Sequence, residues 1–167
     1  MLLKLTMKDA QGNLIKGELP DGWEYSVPGT AIDGMMYVDS SGAIISPLMA
    51  INSGNYQASF TWNGGTVTSN AYVISTGEVS VERSTIETNA GTYRSGEDIT
   101  VTVTLEDSYG NRVDSLVNQL STSTISVPNA VLKSTDGWKE HGDGVYSIIY
   151  QAVTTGSLKR ASLKMPH

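Results

Sequence analysis

Ile99-Thr100-Val101-Thr102-Val103-Thr104-Leu105 alternates without a break between apolar residues and threonine. A period of two places successive side chains on opposite faces of an extended chain, a pattern that a helix cannot bury on one side. The segment reads as a half-buried antiparallel strand, with its apolar face toward a core and its threonines toward water. Tyr146, Ile148, Tyr150 and Ala152 alternate in the same way. Gly, Asn, Asp, Ser and Pro interrupt the rest of the chain at short intervals, and no long window carries a helical apolar stripe. The expected fold class is all-β, built from many short strands packed as sandwiches.

The alternating strand belongs to a longer element that occurs twice. Leu5-Thr6-Met7-Lys8-Asp9-Ala10-Gln11-Gly12-Asn13-Leu14-Ile15 returns as Val103-Thr104-Leu105-Glu106-Asp107-Ser108-Tyr109-Gly110-Asn111-Arg112-Val113. Thr, Asp, Gly and Asn are identical in place, and the apolar positions match in kind. Ser53-Gly54-Asn55-Tyr56-Gln57-Ala58-Ser59-Phe60 reads as a second echo, of Asp143-Gly144-Val145-Tyr146-Ser147-Ile148-Ile149-Tyr150. The offsets are 98 residues, from 5 to 103, and 90 residues, from 53 to 143. Two landmarks in one order at similar spacing imply two copies of one domain. Residues 1–76 and 77–167 are the expected domains, divided at the small polar break Ser75-Thr76-Gly77-Glu78. The second domain has an opening segment, Val79 to Thr92, with no equivalent in the first. Domain one is therefore expected to lack its first strand or to borrow one, because an unpaired sheet edge is a liability.

The repeated residues have mechanical readings. In Asp-x-x-Gly-Asn, at Asp9 to Asn13 and Asp107 to Asn111, the Asp accepts from the turn backbone. The Gly supplies the positive φ needed on leaving the turn. As calcium ligands, the two aspartates alone offer too few oxygens for a cation that takes about 6–8. Gly54-Asn55-Tyr56 and Gly144-Val145-Tyr146 stand where a tyrosine corner would stand, the hydroxyl bonding backbone a few residues upstream. Trp23, Trp62 and Trp138 read as core or inter-sheet aromatics, the alternative being an exposed platform for a sugar or a partner protein. Asp136-Gly137-Trp138-Lys139-Glu140-His141-Gly142-Asp143-Gly144 is the segment densest in chemical groups. The spacing of Asp136, Glu140 and Asp143 fits a calcium loop poorly, so a solvated loop is expected.

Several function classes lack residues. The net charge of −6 disfavours nucleic acid as a partner. The chain has no cysteine, which removes thiol catalysis, zinc–thiolate sites and disulfides. Its histidines are His141 and His167, and no Gly-x-Ser-x-Gly elbow accompanies them. There is no glycine-rich phosphate loop and no run approaching the roughly 20 apolar residues of a membrane span. Met1 leads straight into a strand pattern, so any export signal is expected outside this chain. No catalytic residue, metal ligand or cofactor is assigned, and the ligand-binding residues are left unknown.

The run ITVTVTLEDSYGNRV, Ile99 to Val113, resembles the bacterial immunoglobulin-like domains of the intimin/invasin family, and Leu5 to Ile15 resembles them more weakly. The resemblance implies two tandem immunoglobulin-like β-sandwich domains from the exported passenger of an inverse autotransporter adhesin. In that family an outer-membrane β-barrel anchors a rod of such domains at the cell surface. The expected role is a rigid stalk, with adhesion to a host-cell protein or glycan, or between copies of the adhesin, as a further expectation. Glu18 to Ala50, including Gly34-Met35-Met36-Tyr37, departs from the family pattern, and no receptor site carries over. The alternatives are a carbohydrate-binding or accessory module of a secreted enzyme and a structural module of a phage or pilus. An exposed coplanar aromatic pair would mark the former.

Overall fold

The computed structural model describes residues 1–15, 21–121, 125–133, 137–156 and 160–165. These residues form sixteen strands and no helix. The chain divides into two compact units, Met1–Ser75 and Thr76–His167.

Unit 1 contains β1 (Leu2–Leu5), β2 (Met7–Lys8), β3 (Leu14–Ile15), β4 (Glu24–Ser26), β5 (Thr30–Ile32), β6 (Tyr37–Val38), β7 (Ile44–Ala50), β8 (Gly54–Trp62) and β9 (Gly65–Ile74). One sheet runs β1-β7-β5, with β6 also on β7, a second runs β4-β8-β9, and β2 pairs with β3 in a two-stranded ribbon. Unit 2 contains β10 (Thr85–Thr88), β11 (Asp98–Thr104), β12 (Ile125–Ser126), β13 (Ala130–Leu132), β14 (Lys139–Gly142), β15 (Val145–Ala152) and β16 (Ser162–Leu163). Its large sheet runs β10-β11-β15-β13, with β14 also on β15, and β12 pairs with β16 in the second layer. All these pairings are antiparallel.

The two units share one wiring. Leu5 faces Ile44 in the β1–β7 ladder, and Val103 faces Tyr146 in the β11–β15 ladder. At the far end Ile32 pairs with Leu48, and Leu132 pairs with Tyr150. The β4–β8 pair Ser26–Ser59 has its match in the β12–β16 pair Ser126–Ser162. Thus β1, β4, β5, β6, β7 and β8 correspond to β11, β12, β13, β14, β15 and β16. This wiring corrects the second sequence echo. The counterpart of Asp143 to Tyr150 is Ser41 to Leu48 in β7 and its approach, not Ser53 to Phe60. Residues 58–60 match Ala161-Ser162-Leu163 instead. The Gly-x-Tyr signature misled because it recurs wherever a glycine turn precedes a half-buried strand.

A third echo escaped the sequence reading. Ser26-Val27-Pro28-Gly29 and Ser126-Val127-Pro128-Asn129 make the same sheet-to-sheet passage. Gly29 and Asn129 both adopt positive φ, +79° and +62°, a region glycine and asparagine tolerate. The Gly29 carbonyl accepts from Ile51 and Asn52, and the Asn129 carbonyl accepts from Val153 and Thr154. The shared Ser-Val-Pro was the available signal.

The units differ in depth of core. In unit 2, Ile99, Val101, Val103 and Leu105 point inward at 6%, 0%, 0% and 0% exposure, as the alternation requires. They pack with Val113, Leu120, Ile125, Trp138, Tyr146, Ile148 and Tyr150. Among its described residues, unit 1 buries only the hydrophobics Ala43, Ile44, Ile45, Leu48, Ala58 and Ile74. Leu3 and Leu5, the counterparts of Val101 and Val103, remain half-exposed.

Candidate functional site

The repeated Asp turns have near-identical geometry. Asp9 Oδ1 accepts from the Gln11 and Asn13 amides at 3.0 and 2.8 Å, and Oδ2 accepts from Asn13 Nδ2 at 3.2 Å. Asp107 Oδ1 accepts from the Tyr109 and Asn111 amides at 2.9 Å each, and Oδ2 accepts from Asn111 Nδ2 at 2.9 Å. Gly12 and Gly110 close the turns at φ +84° and +86°. A third turn of this kind, Asp39 to Ala43, was missed in the sequence because Ala43 replaces the fifth-position Asn. Asp39 Oδ1 accepts from the Ser41 and Ala43 amides at 2.9 and 3.1 Å, and Gly42 sits at φ +88°. Each carboxylate thus accepts from two backbone amides of its own turn.

The two turns differ in one contact. Asp107 Oδ2 also accepts from the Gly77 amide at 2.9 Å, tying the opening of unit 2 to the turn. The Ser80 amide donates to the Glu106 carbonyl at 2.8 Å, and Glu106 pairs with Arg112 at 3.1 Å and Arg83 at 3.8 Å. Burial at 2% exposure pushes the Asp107 carboxyl upward, but the donors from Gly77, Asn111 and Tyr109 outweigh it and hold it below its ordinary value. The Asp9 carboxyl is lowered mainly by the Asn13 amide. Among the described residues, no backbone outside its own turn donates to Asp9.

The tyrosines divide. Tyr56 makes the expected corner, its hydroxyl donating to the Asn52 and Ser53 carbonyls at 3.1 and 3.0 Å. Tyr146 does not. Its hydroxyl, at 0% residue exposure, donates to the Val113 carbonyl at 2.7 Å and accepts from the Leu116 amide at 3.2 Å, across 33 and 30 residues. It locks the strand pair to the segment that follows the Asp107 turn. Desolvation, the largest influence, pushes this hydroxyl above its ordinary value.

The tryptophans also divide. Trp138 is core, with Nε1 donating to the Ser121 carbonyl at 3.3 Å. Trp23 is half-buried in a stack, 5.3 Å from Tyr25 and 6.4 Å from Phe60, with interplanar angles of 23° and 14°. These rings turn their faces to one another, which leaves no flat coplanar platform for a sugar. Trp62 departs from the core reading: it is 45% exposed, and its Nε1 donates to the Asp21 carbonyl at 3.0 Å.

The polar segment before β15 is not gathered into a site. Asp136 and His167 lie outside the described residues. Glu140 accepts from the Ser115 amide at 2.6 Å, and Asp143 occupies a tight hairpin at φ +53°. His141 Nε2 lies 2.6 Å from Ser147 Oγ on an exposed strand pair. Among the described residues, no carboxylate bonds the other ring nitrogen and no three His, Cys, Asp or Glu side chains could hold a metal ion.

Unit 1 holds a cleft of about 320 Å³ between the β1-β7-β5 and β4-β8-β9 sheets. Leu3, Leu5 and Ile44 line one wall; Trp23, Tyr25 and Phe60 line the other.

No family model matches the chain. It is 39% identical over 82 residues to the inverse autotransporter adhesin YeeJ of Escherichia coli K12, a match covering 49% of this chain and 4% of YeeJ. Among solved structures, the Escherichia coli adhesin FdeC aligns over 91% of this chain and 49% of its own, with TM-score 0.52 and 23% identity. Yersinia pseudotuberculosis InvD aligns over 93% of this chain and 44% of its own, with TM-score 0.50 and 22% identity. The chain thus spans a small part of its curated relative and about half of each solved one. The fold likeness and the YeeJ homology agree with the threonine-rich strand and Asp-x-x-Gly-Asn turn: the chain has the all-β sandwich fold seen in these bacterial immunoglobulin-like adhesin domains, and over about half of its length it is homologous to an inverse autotransporter adhesin.

Proposed function

We propose that this chain serves as a passive spacer in the exported part of a bacterial surface adhesin, with its anchor elsewhere in the parent protein. The observation that carries the reading is the duplication of one wiring, strand for strand, in two compact units of this domain type. A repeated sandwich whose turn aspartates and buried Tyr146 are engaged by its own backbone is suited to transmitting load. Antiparallel ladders such as β11–β15, seven residue pairs long, resist separation because their hydrogen bonds act together. The reading assigns no catalytic step, metal or cofactor to the chain.

The test is replacement within the full-length parent. Deleting the segment should reduce adhesion to host cells or between bacteria, and an unrelated sandwich pair of equal length should restore it. Failure of the substitute to restore adhesion would show that this segment supplies the contact itself. That second reading is favoured by one feature. Ile32, Met35, Tyr37 and Met49, exposed at 73%, 88%, 49% and 38%, cluster where the sequence departs from the family pattern.

A further inference from the structure

We infer that the β5–β6 edge of unit 1 is a contact between two copies of this chain, related by a two-fold axis beside Met35. The inference rests on the reading in which this segment supplies adhesive contact, and it names the partner. Among the described residues β5 and β6 pair only with β7, so residues 30–38 form the sheet edge on the side away from β1. Ile32 stands opposite Leu48 and Tyr37 opposite Ile45, while the Asp33 amide donates to the Pro47 carbonyl. Gly34, Met35 and Met36 therefore stand against Ser46 alone. The surplus residues make a bulge that throws the chain outward, and Met35 is 88% exposed at its crest.

Unit 2 shows how the same fold blunts this edge. By the shared wiring Ile32 corresponds to Leu132, Asp33 to Lys133, Tyr37 to Lys139, Val38 to Glu140 and Met49 to Gln151. Charged side chains along an edge strand are the usual defence against association. Unit 1 gives up that defence at Tyr37, Val38 and Met49, and three of the chain's six methionines stand here, side chains that adapt to a partner's shape. Ile32, Met35, Met36, Tyr37, Val38 and Met49 together expose about 600 Å², the upper limit for the largest apolar patch of a typical monomer. Two copies face to face bury about 1,200 Å², just above the roughly 1,000 Å² that a specific interface needs. That area fits a second copy, because a two-fold contact uses the same patch on both sides. An axis beside Met35 seats each Met35 on the apolar residues of the other copy. It also sets Asp33, the one charged residue of 30–38, against the Tyr37–Val38 end of the other copy and away from the second Asp33.

Sedimentation of the full chain between about 1 µM and 1 mM should show a monomer–dimer equilibrium, as suits an interface at the small end of the specific class. Met35→Lys combined with Tyr37→Lys gives unit 1 the charge that unit 2 carries at Lys139. This pair should raise the dissociation constant at least about tenfold and leave thermal melting unchanged, because both side chains are exposed. Val67→Lys, at an exposed position of β9, should leave the equilibrium as it is. The chain has no cysteine, so Met35→Cys supplies a single thiol, and oxidation should link two copies at least about tenfold faster than it links a Val67→Cys variant. A chain that stays monomeric at about 1 mM would overturn the inference. A dimer that survives the paired lysine substitutions would overturn it as well. Should those substitutions abolish adhesion by the full-length parent while the chain alone is monomeric, the contact reading stands with another molecule as partner, and the second copy is ruled out.

Discussion

At the residue scale, Asp107 and Tyr146 convert a common turn and a common aromatic into fixed joints of unit 2. Asp107→Asn places an amide among four N–H donors, so it should cost about 2–3 kcal/mol in urea denaturation. Asp9→Asn, at an exposed turn, should cost clearly less. The pH dependence follows from the same bonds. The Asp107 carboxyl is lowered in the folded state, so its stabilisation is complete above the ordinary carboxylate value. It is lost as pH falls through the lowered one. Acid titration followed by near-ultraviolet dichroism should therefore unfold unit 2 below about pH 4, and Asp107→Asn should flatten that dependence. Tyr146→Phe strands the Val113 carbonyl and Leu116 amide in the core and should cost about 1–3 kcal/mol by thermal melting; Tyr56→Phe should cost less. The Asp turns were legible because their spacing is local and their chemistry fixed. Tyr146 was not, because no sequence spacing announces a bond to Val113.

At the element scale, alternation alone determined which face of β11 and β15 is buried. Correspondence between strands was harder to read. The true partner of Asp143 to Tyr150 contains Pro47 where Ile149 stands, and no tyrosine at all. Pro47 is tolerated because it forms a non-hydrogen-bonded pair with Leu2 on one side and stands opposite Asp33, just past the end of β5, on the other, so its missing N–H removes no bond from either ladder. Only the pairing reveals this. Glycine positions separate strand-defining contacts from simple turns. A Cβ on Gly144 would stand 2.7 Å from the Leu105 carbonyl oxygen at φ +71°, while one on Gly12 meets nothing within 4 Å at φ +84°. Gly144→Ala should therefore lower stability by more than about 2 kcal/mol, and Gly12→Ala by about 1. Chemical denaturation of the two variants distinguishes the positions.

At the scale of the whole molecule, one strand order is used twice. Unit 2 has β10 at the edge of its large sheet and a deep core, whereas unit 1 has β9 at the edge of its β4-β8-β9 sheet and a cleft beside β1. The two-copy organisation was readable from Leu5–Ile15 and Val103–Val113. The central claim is that both units are one sandwich, with β1 in the place of β11 and its odd-numbered backbone groups paired to β7. Residue-resolved hydrogen exchange of the unmodified chain tests it most directly. Leu3 and Leu5 amides should be protected with those of Val101 and Val103. Free exchange at Leu3 and Leu5 while Val101 and Val103 stay protected would contradict the account.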